Sequence, residues 1–247
     1  MSLSDINLRE RKFHNELHSS GKEREQNKFY KALYNLNRDF LYLLRINTKS
    51  VNVLDYGCGS GNFAKEVKNF DPKKITAIDI SEEAIKKAKQ KQENNDEIIN
   101  FKVDNCEKLD LESNTFDVAY GSGILHHLSL DKSLNELNRV LKKNGVIIFA
   151  EPLATNPIIN IYRKFTPHAR SEDEHPFKLN DIKLIESMFK NVEIKYYGFF
   201  TLVFLPFYKS PQNSKFFKIL SFLDEMTFKI KYFKFLAWSI LIKAEKN

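Results

Sequence analysis

The hydrophobic positions of this chain change period near residue 50. Upstream, Phe29, Leu33, Leu36, Phe40 and Leu43 recur at spacings of three and four, which makes one apolar helix face, so residues 1–50 are predicted helical. From Val51 onward short β-rich runs alternate with amphipathic stretches. Strands are predicted at 51–56, 74–80, 98–103, 116–120 and 145–150, with helices near 62–70, 81–94 and 130–143. Ser81 stands where an N-cap belongs, with Glu83 in the first turn, and Asn144-Gly145 reads as the C-cap of the third helix. The segment 152–176 has little periodicity and is predicted as an insert after strand five. Asn180 is expected to cap a helix reaching about Phe189. Two further strands, 192–197 and 237–244, enclose a Phe- and Lys-rich helical segment, 212–233.

This alternation predicts an α/β fold: a doubly wound seven-stranded sheet, mostly parallel with its last strand antiparallel, and helices on both faces. Residues 1–50 form a helical cap on a domain spanning 51–247, which contains the insert and the closing aromatic-rich region 192–247.

Composition narrows the function. With 42% hydrophobic and 29% charged residues, the 247-residue chain can bury a core and is not of a disordered type. The net charge of +7 raises nucleic acid as a partner. Beyond residue 200, however, the lysines (209, 215, 218, 229, 231, 234, 243, 246) are interleaved with apolar residues, the pattern of a solvated face. Two cysteines make no disulfide framework, and the start MSLSDINLRERK carries no apolar leader, so a cytoplasmic setting is expected. The longest apolar run, 199–208, is about half the ~20 residues of a membrane span, and no transmembrane segment is predicted. The aromatic density of 194–236 is read as core plus a subunit contact, giving a monomer or homodimer, rather than as a membrane surface.

The chemistry begins at VNVLDYGCGSGNF, residues 51–63, where an apolar strand ends at Asp55 and enters a glycine-rich turn that opens a helix. Glycines permit close backbone approach, and the helix start offers free amides. A dinucleotide fingerprint would need glycine at position 62, which is Asn. An acid two residues before the glycines repels a pyrophosphate but accepts hydrogen bonds from an ammonium group.

These residues resemble the class I S-adenosylmethionine-dependent methyltransferases. LDYGCGSGNFA looks like the family's first motif, ITAIDIS its second, FKVDNCEKL its third and FDVAYGSGILHHL its fourth, with LNRVLKKNGVIIFAEP similar to the helix and strand that follow. The likeness covers about 51–152. It implies S-adenosylmethionine as cofactor. Asp55 and Gly57 would hold its methionine end near Gly121, while Cys58, Gly59, Gly61 and Asn62 would form the turn passing its sulfonium and ribose. Asp79 would take the ribose hydroxyls and Ile80 would pack on adenine. Asn105 would take the adenine amino group and Cys106 would face the ring. The family usually has Asp at position 105, and Asp104 next door leaves that assignment open. The stretch around Phe13 and His14, with Tyr30 behind it, resembles a helix that closes over the cofactor.

On the acceptor side, His126 and His127 follow strand four at the ligand-binding edge of such sheets. His127 is the first candidate for a general base and His126 the second; adjacent helical residues diverge by about 100°, so one of the two is expected to reach the acceptor. Glu151, just before the insert, and Arg170 and His175 within it are candidate substrate-binding residues, with Arg170 suited to an anionic group. Some quinone-type relatives carry two glutamates and a histidine where this chain has Gly123–His127, so no metal is expected. The resemblance implies methyl transfer to a small polar molecule, with oxygen methylation of a sugar, phosphorylated or surface-glycan precursor as the first reading. A lipid or quinone precursor, or a cofactor-binding protein without turnover, are the alternatives. A nucleic-acid substrate is disfavoured because the Asn/Asp-Pro-Pro-aromatic signature is absent after strand four.

Overall fold

Val53, Leu54 and Tyr56 in β1 (Asn52–Tyr56) are all fully buried, as a strand covered by helices on both faces requires. In the computed structural model, which describes residues 3–19, 27–93, 96–166 and 171–247, β1 lies near the middle of a seven-stranded sheet. The other strands are β2 (Lys74–Asp79), β3 (Ile99–Val103), β4 (Phe116–Ser122), β5 (Leu141–Pro152), β6 (Phe189–Tyr197) and β7 (Ser239–Lys246). Their order is β3-β2-β1-β4-β5-β7-β6, with β7 antiparallel to both neighbours and the other pairings parallel. The expected fold class is the one found. The chain winds outward from β1 in both directions, so a crevice opens between the carboxyl ends of β1 and β4.

The helices are α1 (Asp5–Ser19), α2 (Asn27–Tyr30), α3 (Tyr34–Asn47), α4 (Asn62–Lys68), α5 (Glu82–Gln90), α6 (Leu130–Val140), α7 (Pro157–Phe165), α8 (Leu179–Met188), α9 (Phe200–Val203) and α10 (Lys215–Lys229). Alternate strand residues feed two cores. Leu54, Tyr56 and Phe149 pack with Leu134 and Leu137 of α6 and Ile185 of α8. Val53, Ile75 and Ile148 pack with Phe40 and Leu44 of α3 and Val67 of α4. The N-terminal helices therefore belong to the main core through α3.

Three local expectations are corrected. Asn144-Gly145 is not a C-cap: α6 ends at Val140 because Leu141 is already extended, fully buried and paired with Phe116. Asn144 (φ 60°) turns inside the irregularity where the register passes from Phe116↔Leu141 to Val118↔Val146. The insert contains α7, whose cap Asn156 accepts from the amides of Ile158 (2.9 Å) and Ile159 (3.0 Å) with Pro157 in the first turn. Its apolar residues Ile158, Ile161, Tyr162 and Phe165 do recur at helical spacing, although only Ile159 of the helix is buried. Finally, α8 begins at Leu179, where Asp181 rather than Asn180 accepts from the Lys178 amide (2.7 Å).

The aromatic C-terminal region is only partly core. Phe217, Leu220 and Phe228 of α10 are buried, and Asp224 receives the amide of Phe200 (2.6 Å) and the hydroxyl of Thr201 (2.8 Å) at the start of α9. Phe216, Ile219, Phe222, Leu223 and Met226 of the same helix are exposed.

Candidate functional site

The turn after β1 is shaped by its glycines. Gly57 (φ 76°) lies so close to Ile124 that a β-carbon would stand 2.4 Å from it. Gly61 (φ 77°) would bring one within 2.7 Å of the Phe101 ring. Gly61→Ala is expected to cost about 2–4 kcal/mol, from left-handed strain plus the clash, measured by urea unfolding. The amides of Gly57 (2.9 Å) and Cys58 (2.8 Å) donate to the Ile78 carbonyl, tying the turn to β2. At the end of β2 the Asp79 carboxylate accepts from the Gly59 amide (2.8 Å) and the Ser81 amide (2.8 Å). Ser81 is the N-cap of α5, as its sequence position predicts.

These residues border a first cavity of about 480 Å³, lined by Gly57, Gly59, Asn62, Asp79, Ile80, Asn105, Cys106 and His127. Helix α1 covers it, contributing Asn7, Glu10, His14 and Leu17. The cover is fastened at several points. Ser81 donates to Asn15 (2.7 Å), Asn105 to Asn7 (3.2 Å), and Arg9 forms a forked pair with Asp173 (both 2.8 Å). Glu10 Oε2 stands 3.2 Å from His127 Nδ1 and 3.5 Å from His14 Nε2. Burial works to raise the Glu10 carboxyl, but His127, His14 and Ser171 hold it below the usual carboxylate range. Burial lowers His127 despite Glu10, so a neutral imidazole paired through Nδ1 is the state these contacts favour.

Asp55 is buried behind this wall. Burial pushes its carboxyl up to about 7, opposed by hydrogen bonding with Tyr120, and its Oδ2 is without a hydrogen-bond partner. Gly121 packs against Ile124 and Phe149 beneath the turn, and the Cys58 thiol is directed at the Gly59 carbonyl. Asp104 is fully buried and accepts from the amides of Asn105 (2.9 Å) and Asp110 (3.2 Å). Of the neighbours left open by the sequence, Asn105 faces the cavity and Asp104 holds the loop.

A second cavity, about 780 Å³, is lined by residues of both the N-terminal and C-terminal regions, among them Phe29, Tyr34, Phe63, Tyr162, Lys209 and Trp238. Gly123 and Tyr30 line both cavities, so the two meet there. His126 borders the second. Its Nδ1 lies 2.7 Å from Glu151 Oε2, and Glu151 Oε1 accepts from the amides of Ile124 (3.1 Å) and Leu125 (2.9 Å). A carboxylate on Nδ1 puts the proton there and leaves the Nε2 lone pair, 3.9 Å from Glu174 Oε1, on the other side. The histidine pair is thus divided: His127 serves the α1 side, and His126 the second cavity.

Of the candidate substrate-binding residues, Glu151 lines the second cavity. His175 does not: it is exposed, bonded to the Asp173 carbonyl (2.7 Å), and its neighbour Glu174 takes the place at the wall. Arg170 lies outside the described residues. The structure also brings together donor trios whose spacing is not apparent in the sequence. Glu10, His14 and His127 form one and His126, His127 and Glu174 another, each with atoms within 4.8 Å. Glu10 was missed although its i,i+4 relation to His14 was legible on a helix. Tyr34, Tyr162 and Trp238 come from separate elements, and no local signal joins them.

Comparison with known proteins agrees with this geometry. The profile described as a methyltransferase domain matches residues 54–149. An uncharacterised protein of Methanocaldococcus jannaschii is 30% identical over 146 residues, 57% of this chain and 59% of that protein. A sterol 4-C-methyltransferase of Caenorhabditis elegans is 31% identical over 135 residues, 53% of this chain and 40% of that one. The chain spans about half the length of the curated relatives it matches. The geranyl diphosphate C-methyltransferase of Streptomyces coelicolor superposes with a TM-score of 0.68, covering 99% of this chain and 98% of that one at 11% identity, a likeness of fold. The glycine turn, the acid at the tip of β2 and the sheet order are all in place, and residues 54–149 match the methyltransferase-domain family.

Proposed function

We propose that this protein transfers a methyl group from S-adenosylmethionine, held in the first cavity, to an acceptor hydroxyl held in the second. The observation that carries the reading is the junction of the two cavities at Gly123 and Tyr30, beside His126. The residues of the first cavity fit the cofactor on their own chemistry. Behind the wall the buried Asp55, whose Oδ2 has no hydrogen-bond partner, suits an ammonium group. At the wall a β-carbon on Gly59 would meet nothing nearer than His18 at 3.9 Å, so the backbone there is open to a ligand. Asp55, Gly57 and Gly59 would hold the amino-acid end, Asp79 the ribose, and Ile80, Asn105 and Cys106 the adenine. His14 on α1 would close the cover, a cap function that falls to the first helix of the 1–50 region while α3 packs in the core.

When bound, the cofactor supplies an activated methyl group on a sulfonium, so the protein need only align the nucleophile and take its proton. His126 accepts that proton at Nε2, while Glu151 holds the ring in place through Nδ1. His127, the first candidate from sequence, becomes a positioning residue for α1 in this reading.

The acceptor of the first reading is a sugar, phosphorylated or surface-glycan precursor. Tyr34, Tyr162 and Trp238 offer flat faces for a ring, and Lys31 and Lys209 at the wall offer charge for a phosphoryl group. Phe29, Leu33, Phe63 and Ile159 on the same wall favour the second reading, a lipid or quinone precursor. Radiolabel transferred from the cofactor into aqueous or organic extracts separates the two.

The test of the cofactor assignment is calorimetry. Asp79→Ala should weaken S-adenosylmethionine binding by about tenfold or more, the loss of a charged bidentate acceptor. Unchanged affinity would remove the ribose role, and tight binding of NAD by the parent protein would overturn the function.

A further inference from the structure

Helix α10 has two apolar faces, and only one is used. Phe217, Leu220 and Phe228 turn inward. Phe216, Ile219, Leu223 and Met226, spaced by three and four, form a second stripe that is open to solvent, with Ile219 58% and Phe222 59% exposed. The chain continues directly into Ile230, Tyr232, Phe233 and Phe235, also exposed, with Tyr232 at 83%. A soluble surface rarely carries so many contiguous large apolar side chains without a partner.

Charge identifies the partner. Lys215, Lys218, Lys229, Lys231 and Lys234 are interspersed with these residues, and of the two acids in α10 Asp224 is buried in the α9 cap, leaving Glu225. Apolar side chains with lysines around them suit the boundary of an anionic bilayer, where the stems lie along the acyl region and the ammonium groups reach the headgroups. A second protein would have to answer the same mixture with a paired apolar and acidic patch. Among the described residues no helix is long and apolar enough to cross a membrane, so the mode would be interfacial.

The position of the face gives this docking a purpose. Lys209, Pro211 and Gln212 line the second cavity immediately before α10 begins. On the cavity's other wall, α7 contributes Ile159 and Tyr162 while exposing Ile161 (58%) and Phe165 (81%). The second cavity is thus bordered by the segment that leads into α10 and by α7, which carries exposed apolar residues of its own.

We propose that α10 and residues 230–235 seat this protein on the surface of an anionic lipid bilayer, with the second cavity beside the contact. The inference does not depend on the methyltransferase reading, because it concerns a surface away from the first cavity.

Flotation of the full chain with vesicles tests it. The protein should float with phosphatidylcholine–phosphatidylglycerol vesicles, less with phosphatidylcholine alone, and less at high salt. The exposed double variant Ile219→Ser/Phe222→Ser should lower partitioning about tenfold or more with unchanged thermal unfolding. Lys218→Gln/Lys229→Gln should lower it about fivefold per lysine. Failure of the parent to float with anionic vesicles, or variants that float as well as the parent, would overturn the proposal. So would a homodimer in light scattering that the Ile219→Ser/Phe222→Ser change dissociates without altering flotation, since the face would then join two copies.

Discussion

His126→Ala should lower kcat by about 10²–10⁴-fold, the range for loss of a positioned general base, while S-adenosylmethionine binds as before. The expectation rests on where the imidazole sits. Glu151 fixes its Nδ1 at 2.7 Å, and that carboxylate is itself held by two backbone amides after β4. The ring therefore has one defined orientation, and the second cavity lies along its edge. Single-turnover transfer of labelled methyl under saturating cofactor measures the step directly. His127→Ala provides the contrast. Because His127 contacts Glu10 of α1 (3.2 Å) within the first cavity, its loss should act mainly on cofactor affinity. If His127→Ala abolished turnover at full cofactor affinity and His126→Ala did not, the assignment would be reversed.

Asp55→Asn should stabilise the cofactor-free protein at pH 8 and weaken cofactor binding more than tenfold. Burial raises the Asp55 carboxyl from 3.8 to about 7 in the folded chain. Between those values the folded protein holds a proton that the unfolded chain has released. Stability from this group is therefore present below about pH 4 and is lost as pH rises toward 7. A shift of this size corresponds to at most about 4 kcal/mol at 1.36 kcal/mol per unit, and local relaxation reduces it. The amide resembles the neutral acid in shape and carries no charge. A gain of about 1–4 kcal/mol in urea unfolding at pH 8, with little at pH 4, is expected. Binding should respond in the opposite sense. An ammonium group stabilises the charged carboxylate, so affinity of the parent should rise from pH 6 to pH 8 and that of Asp55→Asn should stay flat. A variant no more stable than the parent at pH 8 would mean that Asp55 is already relieved in the folded state. In this reading the cofactor's amino group supplies the partner that the fold withholds, an instance of stability yielded at a functional site.

The strand and helix sequence was legible because period is a local property. A buried parallel strand writes its apolar run, a glycine turn writes its φ requirement, and an acid at the tip of β2 needs only its distance from that turn. The glycine turn, Asp79 and the doubly wound, mostly parallel class of the sheet follow from such short-range patterns together with the handedness of crossover connections, whereas the order of the strands is read from the structure. Where the local signal competed with pairing, it lost. Asn144-Gly145 has the chemistry of a helix end, but Leu141 had already been drawn into the sheet opposite Phe116.

What tertiary structure alone decided was which side chains share a space. His126 and His127 are adjacent in sequence, and only the packing of α1 on one side and the insert on the other assigns them to different cavities. Glu174 rather than His175 reaches the wall, because the chain exchanges one hydrogen bond there, His175 amide to His126 carbonyl (2.9 Å), and its side chains diverge. The second cavity draws on widely separated stretches of the chain, and the outward face of α10 differs from its inward face only in what lies opposite. Amphipathic spacing records that a side chain is apolar and which way its element turns; whether that direction meets a core, a ligand or solvent depends on residues far away in the chain.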